Sequence, residues 1–284
     1  MVSVSVIIPC YNLGQFMDDT VGSVLSQTYT DFEVIIVNDG STDKHTIKWL
    51  EEYLHEKVQI IHIKNQGPAA AINAGIKESK GTHIVVLDAD DKLAPAFIEK
   101  TKRIMDERPD VRIVYTDALL FGVERGFWHV KDYSFPDILE DNVLNTIMFK
   151  KQDWQVVGGY CEEMINGWQD YEFFLSLIDL GGEVYKIPEV LFYYRIRKGG
   201  IHLQISGTTK YFVSNKMKIY KNHKKMYAQN MDYIYENYVN LRKGYRELVY
   251  KYEKDVKFLR FFSFLLPYFV LKKIVSVISK FVKK

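Results

Sequence analysis

The first 110 residues alternate short apolar runs with amphipathic segments, and three of the runs end in polar clusters. This alternation is the feature that most limits what the chain can fold into. Val4 to Ile8, Phe32 to Val37, Val58 to Ile63 and His83 to Leu87 are rich in β-branched residues and read as buried strands. Between them, Phe16 to Gln27 carries Phe16, Val21, Val24 and Leu25 on one helical face. A second helix, about Asp43 to Leu54, is open to capping by Ser41 or Thr42. A third, Pro68 to Ser79, is entered through Gly67-Pro68, and a fourth runs from Pro95 to Glu107. Strand–helix alternation at this spacing implies right-handed crossovers and a Rossmann-like, mostly parallel α/β sheet flanked by helices. Ligands of such sheets bind beyond the carboxyl ends of the strands. The clusters Pro9 to Asn12, Asn38 to Ser41 and Asp88 to Asp91 each follow a strand, so they should meet at one edge.

The pattern changes after Val111. Val111 to Thr116, Asn145 to Phe149, Val184 to Pro188 and Val190 to Arg195 read as strands, and Trp168 to Leu180 as a helix. Arg197 to Thr209 reads as a loop, and from Tyr211 to about Lys257 the chain is Lys/Tyr-rich and helical. The expected organisation is an α/β domain over 1–205 whose pattern changes near residue 110. A helical extension over 206–257 and a basic amphipathic tail over 258–284 follow.

Asp88-Ala89-Asp90, treated as extended chain, places two carboxylates on one side and turns Asp91 elsewhere. Adjacent carboxylates repel when ionised, and a hard cation such as Mg²⁺ or Mn²⁺ relieves the repulsion while sharing substrate phosphates. An acidic turn capping the next helix is the alternative, and Asp91 suits it. The position at a strand end beside two other polar clusters favours the metal.

Six segments, in order, resemble the family 2 glycosyltransferases: Val4 to Asn12, Val34 to Asp43, Asn65 to Gly75, Val85 to Asp91, Ile147 to Tyr160, and Gly167 to Phe173. Any one is weak; the ordered set is specific. The resemblance covers about two-thirds of the chain and implies the GT-A fold, a nucleotide-sugar donor and inversion at the anomeric carbon, with 1–205 as the catalytic domain, 1–110 binding the nucleotide sugar and 111–205 the acceptor. Residue by residue it implies that Pro9, Tyr11, Asn12 and Asp39 hold the nucleoside, with Tyr11 stacked on the base and Asp39 accepting from a ring N–H, as uracil would offer. Asn73 would lie near the diphosphate or sugar, Asp88 and Ala89 along the ribose or sugar, and Asp90 on the metal. Asp170 would be the general base, kept ionised by the helix dipole. Glu172 is the alternative carboxylate, and Asp170 also reads as a helix N-cap. Where the family often carries Glu, this chain has Gln169, which points to a different acceptor. Some relatives use a His near the position of His202 as a further metal ligand; an exposed loop His is the alternative. Arg195, Arg197 and Lys198 suit either a diphosphate or a solvated basic loop.

The formal charge of +2 conceals an asymmetry, because residues 256–284 hold seven Lys or Arg and no acid. The remainder has 31 basic against 36 acidic residues, which is no nucleic-acid binder. The run Phe261 to Leu271 is too short to span a bilayer and is broken by Pro267. Its basic flanks suit an anionic membrane surface, with docking on protein or a second copy as the alternative. The N-terminus lacks a basic leader and reads as the first strand, and two cysteines without ligand spacing suggest no disulfide or zinc. Together these lead us to expect a cytoplasmic enzyme peripheral on the inner face of the cell membrane. The expected partners are a nucleotide sugar and a glycan or lipid-linked acceptor, and a homo-oligomer is compatible. The alternatives are a nucleotidyltransferase, disfavoured because Pro9 to Asn12 is not a Gly-rich triphosphate loop, and a catalytically silent sugar-nucleotide-binding module.

Overall fold

The computed structural model describes residues 2–164, 167–197 and 209–263. The chain divides into two units, Met1–Gln229 and Asn230–Lys284. The first is built on one mixed sheet. Its parallel half consists of β1 (Val4–Cys10), β2 (Phe32–Asp39), β3 (Val58–Ile63) and β4 (His83–Val86), in the order β3-β2-β1-β4. The crossovers are α1 (Gly14–Leu25), α2 (Lys44–Glu52) and α3 (Pro68–Glu78). β1 and β2 are almost continuously buried, as strands covered on both faces must be. Asp43 caps α2, accepting from the Thr46 N–H at 2.8 Å, in place of the expected Ser41 or Thr42. Gly75 lets α3 press onto the sheet: a Cβ there would lie 2.5 Å from Ile7 Cγ2 and 2.9 Å from Val37 Cγ2.

The second half of the sheet departs from the sequence reading. β5 (Lys92–Leu93) precedes α4 (Phe97–Glu107), and β6 runs from Val111 to Gly122, twice the expected length. β7 (Gly126–Trp128) pairs with β6, and β8 (Met148–Lys150) joins β4 to β6 antiparallel to both. The two strands expected around Pro188 are one, β9 (Glu183–Ile196), parallel to β6. Proline has no N–H for the ladder, so the register jumps from Ile187 opposite Thr116 to Val190 opposite Asp117 and the strand continues past the bulge. α5 (Lys151–Val157) follows β8, and α6 (Gln169–Asp179) precedes β9.

Helices α7 (Thr209–Asn222) and α8 (Lys224–Gln229) belong to the first unit, so its boundary lies beyond the expected residue 205. Glu172 of α6 explains part of this: it is buried, accepts from Asn222 Nδ2 at 2.8 Å, and lies 3.3 Å from His223 Nε2. In the second unit, α9 is a 33-residue helix, Met231–Ser263. Among the described residues no helix is long and apolar enough to cross a membrane. Most of the 258–284 tail, with Lys198 and His202, lies outside the described residues.

Candidate functional site

Because β1, β2 and β4 are parallel neighbours, the segments after them emerge side by side, as the alternation requires. Hydrogen bonds tie them together. Asn12, in the left-handed region at φ 56°, accepts through Oδ1 from the N–H groups of Thr42 (2.8 Å) and Asp43 (2.9 Å). Its own N–H donates to Ser41 Oγ. Asn12 thus braces the first loop against the second. Asp39 is buried and accepts from the N–H of Gln66 (2.8 Å) and of Gly67 (2.9 Å), one on each oxygen, which fixes the entry to α3. Each oxygen keeps a second lone pair. Tyr11 stands 46% exposed beside them, its ring open for stacking, and Pro9 is half-buried at the end of β1.

Asp88 to Asp91 is not extended. The Asp91 N–H donates to Asp88 O at 3.0 Å, closing a β-turn. In a turn the alternation of side chains is lost, so Asp91 is not turned aside as expected. Carboxylate oxygens of Asp88, Asp90 and Asp91 lie within 4.8 Å of one another. Ala89 is buried, and its carbonyl accepts from Thr20 Oγ1 at 3.0 Å, anchoring the turn to α1. Asp88 opens to solvent, yet protein surrounds it closely enough that burial, then Asp90 and Asp170, push its pKa up to about 7. Burial also raises Asp90, against the pull of Arg197, and raises Asp91 well above the carboxylate range.

The two arginines at the end of β9 are part of this site and not a solvated loop. Arg195 donates from its N–H to Asp91 Oδ1 (2.7 Å), from Nε to Asp90 O (2.6 Å) and from Nη2 to Asp19 (2.7 Å). Its guanidinium is held between the rings of Phe16 and Phe121, at 4.7 and 4.3 Å. Arg197 Nε pairs with Asp90 Oδ2.

Asp170 is the second residue of α6. The N-cap is Trp168, whose side chain makes no cap, so Asp170 is not the N-cap residue. Asp170 lies close enough to Asp88 to raise its pKa, and with Asp88 it also raises the buried phenol of Tyr160. Burial raises Asp170 itself, outweighing the N–H groups at the helix start and the Asn142 amide, which lower it. The expectation that the dipole keeps this pKa low is therefore corrected: desolvation is the larger effect. Asn142 Nδ2 donates to Asp170 Oδ2 at 3.3 Å. Glu172, the alternative carboxylate, faces Asn222 and His223 instead.

The Asn73 side chain makes its hydrogen bonds within the protein. Its Oδ1 accepts from Tyr160 N–H (2.8 Å) and Trp154 Nε1 (3.0 Å); its Nδ2 donates to Tyr160 O (2.9 Å) and Glu162 Oε1 (3.0 Å). An amide has two donors and two acceptor lone pairs, so its capacity is used within the protein. A Cβ at Gly159, φ 86°, would lie 2.8 Å from Asn73 Oδ1, so glycine there admits the clamp.

Sequence reading missed four parts of the site. Asp91 was misplaced by treating a turn as a strand. Asn142 lies in an irregular stretch with no pattern to mark it. Burial, and after it the charges of the nearby site carboxylates, raises the phenols of Tyr160 and Tyr194. The corner Gly167-Trp168, both at positive φ, is held by α7: Asn215 Nδ2 donates to Gly167 O (3.3 Å), and Phe212 and Lys216 lie 5.1 and 5.3 Å from the Trp168 ring. A bulky residue in the left-handed region is strained and stays there only when its surroundings hold it.

The sequence pattern of the family described as "Glycosyl transferase family 2" matches residues 5–164. Chondroitin synthase of Escherichia coli is 32% identical over 188 residues, 63% of this chain but only 27% of that protein. A Bacillus subtilis protein named for teichuronic acid biosynthesis, TuaG, is 31% identical over 208 residues, covering 70% of this chain and 81% of its own. Among solved structures, S. aureus TarS 1-349 in complex with UDP-GlcNAc superposes with a TM-score of 0.61 at 19% identity, over 70% of this chain and 60% of that one. The mannosyltransferase PcManGT of Pyrobaculum calidifontis, in complex with GDP-Man and Mn²⁺, gives 0.53 at 19% identity, over 71% and 59%.

Proposed function

Since the chain belongs to glycosyl transferase family 2, we propose that it transfers a sugar, with inversion, from a UDP-sugar to an acceptor hydroxyl in surface polysaccharide or glycolipid synthesis. The observation that carries this reading is the meeting of the Asp88, Asp90 and Asp91 carboxylates with Asp170 at one end of the parallel strands. The donor complexes of TarS and PcManGT support a nucleotide-sugar donor on this fold.

The acidic turn fits a divalent cation, Mn²⁺ or Mg²⁺. Hard oxygen donors are what these ions prefer, and opposite ligands of a Mg²⁺ ion lie about 4.2 Å apart, near the spread of the cluster. Asp90 and Asp88 are the first candidates to hold it, with Asp91 beside them. Such an ion, when bound, supplies positive charge to a departing diphosphate. The chain's own groups do the rest. Tyr11 stacks on the base, and Asp39 uses its remaining lone pairs on a ring N–H. Asp170 takes the proton of the acceptor hydroxyl as the new C–O bond forms and the sugar–phosphate bond breaks, its electron pair leaving with the phosphate. Arg195 keeps the acidic turn in place. The basic C-terminal segment holds the enzyme on the anionic inner face of the membrane, near a glycan or lipid-linked acceptor.

The test is a panel of nucleotide sugars with Mn²⁺ or Mg²⁺, following nucleoside diphosphate release with membrane extract as acceptor. Metal-dependent turnover of one donor is expected, abolished in Asp90→Ala and reduced about 10²- to 10⁴-fold in Asp170→Asn. Full activity in Asp170→Asn would remove the base assignment, and no turnover of any donor would remove the function. Sedimentation with anionic vesicles, compared with neutral ones, tests the membrane role.

A further inference from the structure

We propose that the outer face of α7 is a docking surface for an anionic lipid membrane. This goes beyond the C-terminal segment invoked above, because α7 lies in the first unit and its face is made of other residues. From Thr209 to Met231 the chain holds six lysines and no Asp or Glu, although the residues before 256 are acidic overall.

One side of α7 faces the protein. Asn215 and Ile219 are buried, and Lys216 lies over the Trp168 ring. The other side is open. Val213, Met217 and Tyr220, at i, i+4 and i+7, are 51%, 48% and 38% exposed and line up as one stripe. At about 100° per residue this stripe lies roughly 150° around the helix from Asn215 and Ile219. The outward face of a solvated helix is polar, so an apolar stripe there marks a contact surface. Tyr211 and Phe212 are also exposed and widen the apolar area at the first turn. Lys221 of α7 and Lys224 and Lys225 of α8 are exposed at the other end of the stripe, while Lys218 is paired with Glu163 at 2.7 Å.

Charge decides the occupant. Apolar side chains ended by three exposed lysines suit the boundary of an anionic bilayer, where the stripe enters between headgroups and the ammonium groups meet lipid phosphates. A second copy laid on the same stripe would bring these lysines against their own counterparts, a like-charge contact. The inner side of α7 holds the Gly167-Trp168 corner that precedes Asp170, and one helix thickness, about 10 Å, separates that side from the stripe. On the proposed function, seating α7 on lipid brings a lipid-linked acceptor to the part of the molecule that carries the base.

The probes are vesicles of mixed phosphatidylglycerol and phosphatidylcholine, against phosphatidylcholine alone. The full chain in a Cys161→Ser background carries an environment-sensitive fluorophore at Met217→Cys or at Leu54→Cys, an exposed position after α2. A blue shift at 217 on the anionic vesicles is expected, with none on neutral vesicles and none at 54. A lysine near an anionic surface contributes roughly a factor of five to partition, so Lys221→Gln/Lys224→Gln/Lys225→Gln should weaken binding roughly 100-fold. Lys44→Gln/Lys48→Gln/Lys77→Gln, the same charge change on α2 and α3, should weaken it far less, and Met217→Ser/Tyr220→Ser should weaken it at unchanged charge. Vesicle binding is measured without donor, so its failure and the failure of sugar transfer are read apart. Binding through the tail with no shift at 217, equal loss in both lysine triples, or a shift that grows with protein concentration without lipid, as a second copy would give, would each overturn the proposal.

Discussion

Replacing Asn73 by Ala should cost stability before it costs donor binding. The side chain joins α3 to the Trp154–Glu162 segment through four hydrogen bonds, two to Trp154 and the Tyr160 N–H and two to Tyr160 O and Glu162. Removing it leaves the peptide groups of Tyr160, a buried residue, and the Trp154 indole N–H without these partners. A hydrogen bond contributes about 1 kcal/mol net, and a buried group left unpaired costs about 1–3 kcal/mol. The three orphaned protein groups are part-buried and so fall in the lower half of that range, at about 1–1.7 kcal/mol each; with the Glu162 contact solvent-screened, the loss is about 3–5 kcal/mol. For a unit of this size each kcal/mol lowers Tm by about 2–4 °C, so a fall of about 6–20 °C is expected. Asn73→Asp should recover part of it, since a carboxylate keeps the two acceptor bonds but turns repulsive towards Tyr160 O and Glu162. The assay is urea and thermal unfolding followed by tryptophan fluorescence, with donor KM measured well below the transition. A variant of unchanged stability with a raised donor KM would refute the reasoning and return Asn73 to the diphosphate.

Three more outcomes can be checked. Asn142→Ala should lower kcat about tenfold with little change in donor KM. It should also move the acid limb of the pH–rate profile upward, because the amide favours ionised Asp170 and burial already raises that pKa; an unmoved limb would count against orientation of the base. Burial and the nearby Lys102 push His83 down to about 4, so between its unfolded value near 6.5 and pH 4 the unfolded chain binds the proton and the folded one does not. Stability should therefore fall as pH falls through this window, by up to about 3 kcal/mol in total, and His83→Gln should flatten the slope; identical slopes would sink the prediction. Gly75→Ala should destabilise by about 1–2 kcal/mol, overpacking against Ile7 and Val37 outweighing the helix-propensity gain of about 1 kcal/mol, and a raised urea midpoint would contradict this.

The four parallel strands, their helices and the edge where their polar clusters meet were legible in the sequence. Period and β-branched runs are local properties, and a parallel sheet follows from crossover length alone. The identity of Asp88, Asp90 and Asp170 as neighbours-to-be came from the ordered motifs. What the residues could not say is how groups distant in the chain share one volume. Asp91 joins the cluster because Asp88 to Asp91 closes as a turn, which the carboxylate spacing does not encode. β9 survives Pro188 because β6 offers a continuous edge on the far side of the bulge. The Asp170 pKa rises because burial, a property of everything packed around it, exceeds what the first turn of α6 supplies. Asn73 and Asn142 look alike as sequence, and only tertiary contacts make one a clamp on Tyr160 and the other a donor to Asp170. Local chemistry determined the elements and the ordered motifs singled out the candidate residues; desolvation and long-range hydrogen bonding, which exist only once the chain is packed, decided the surroundings and partners of each.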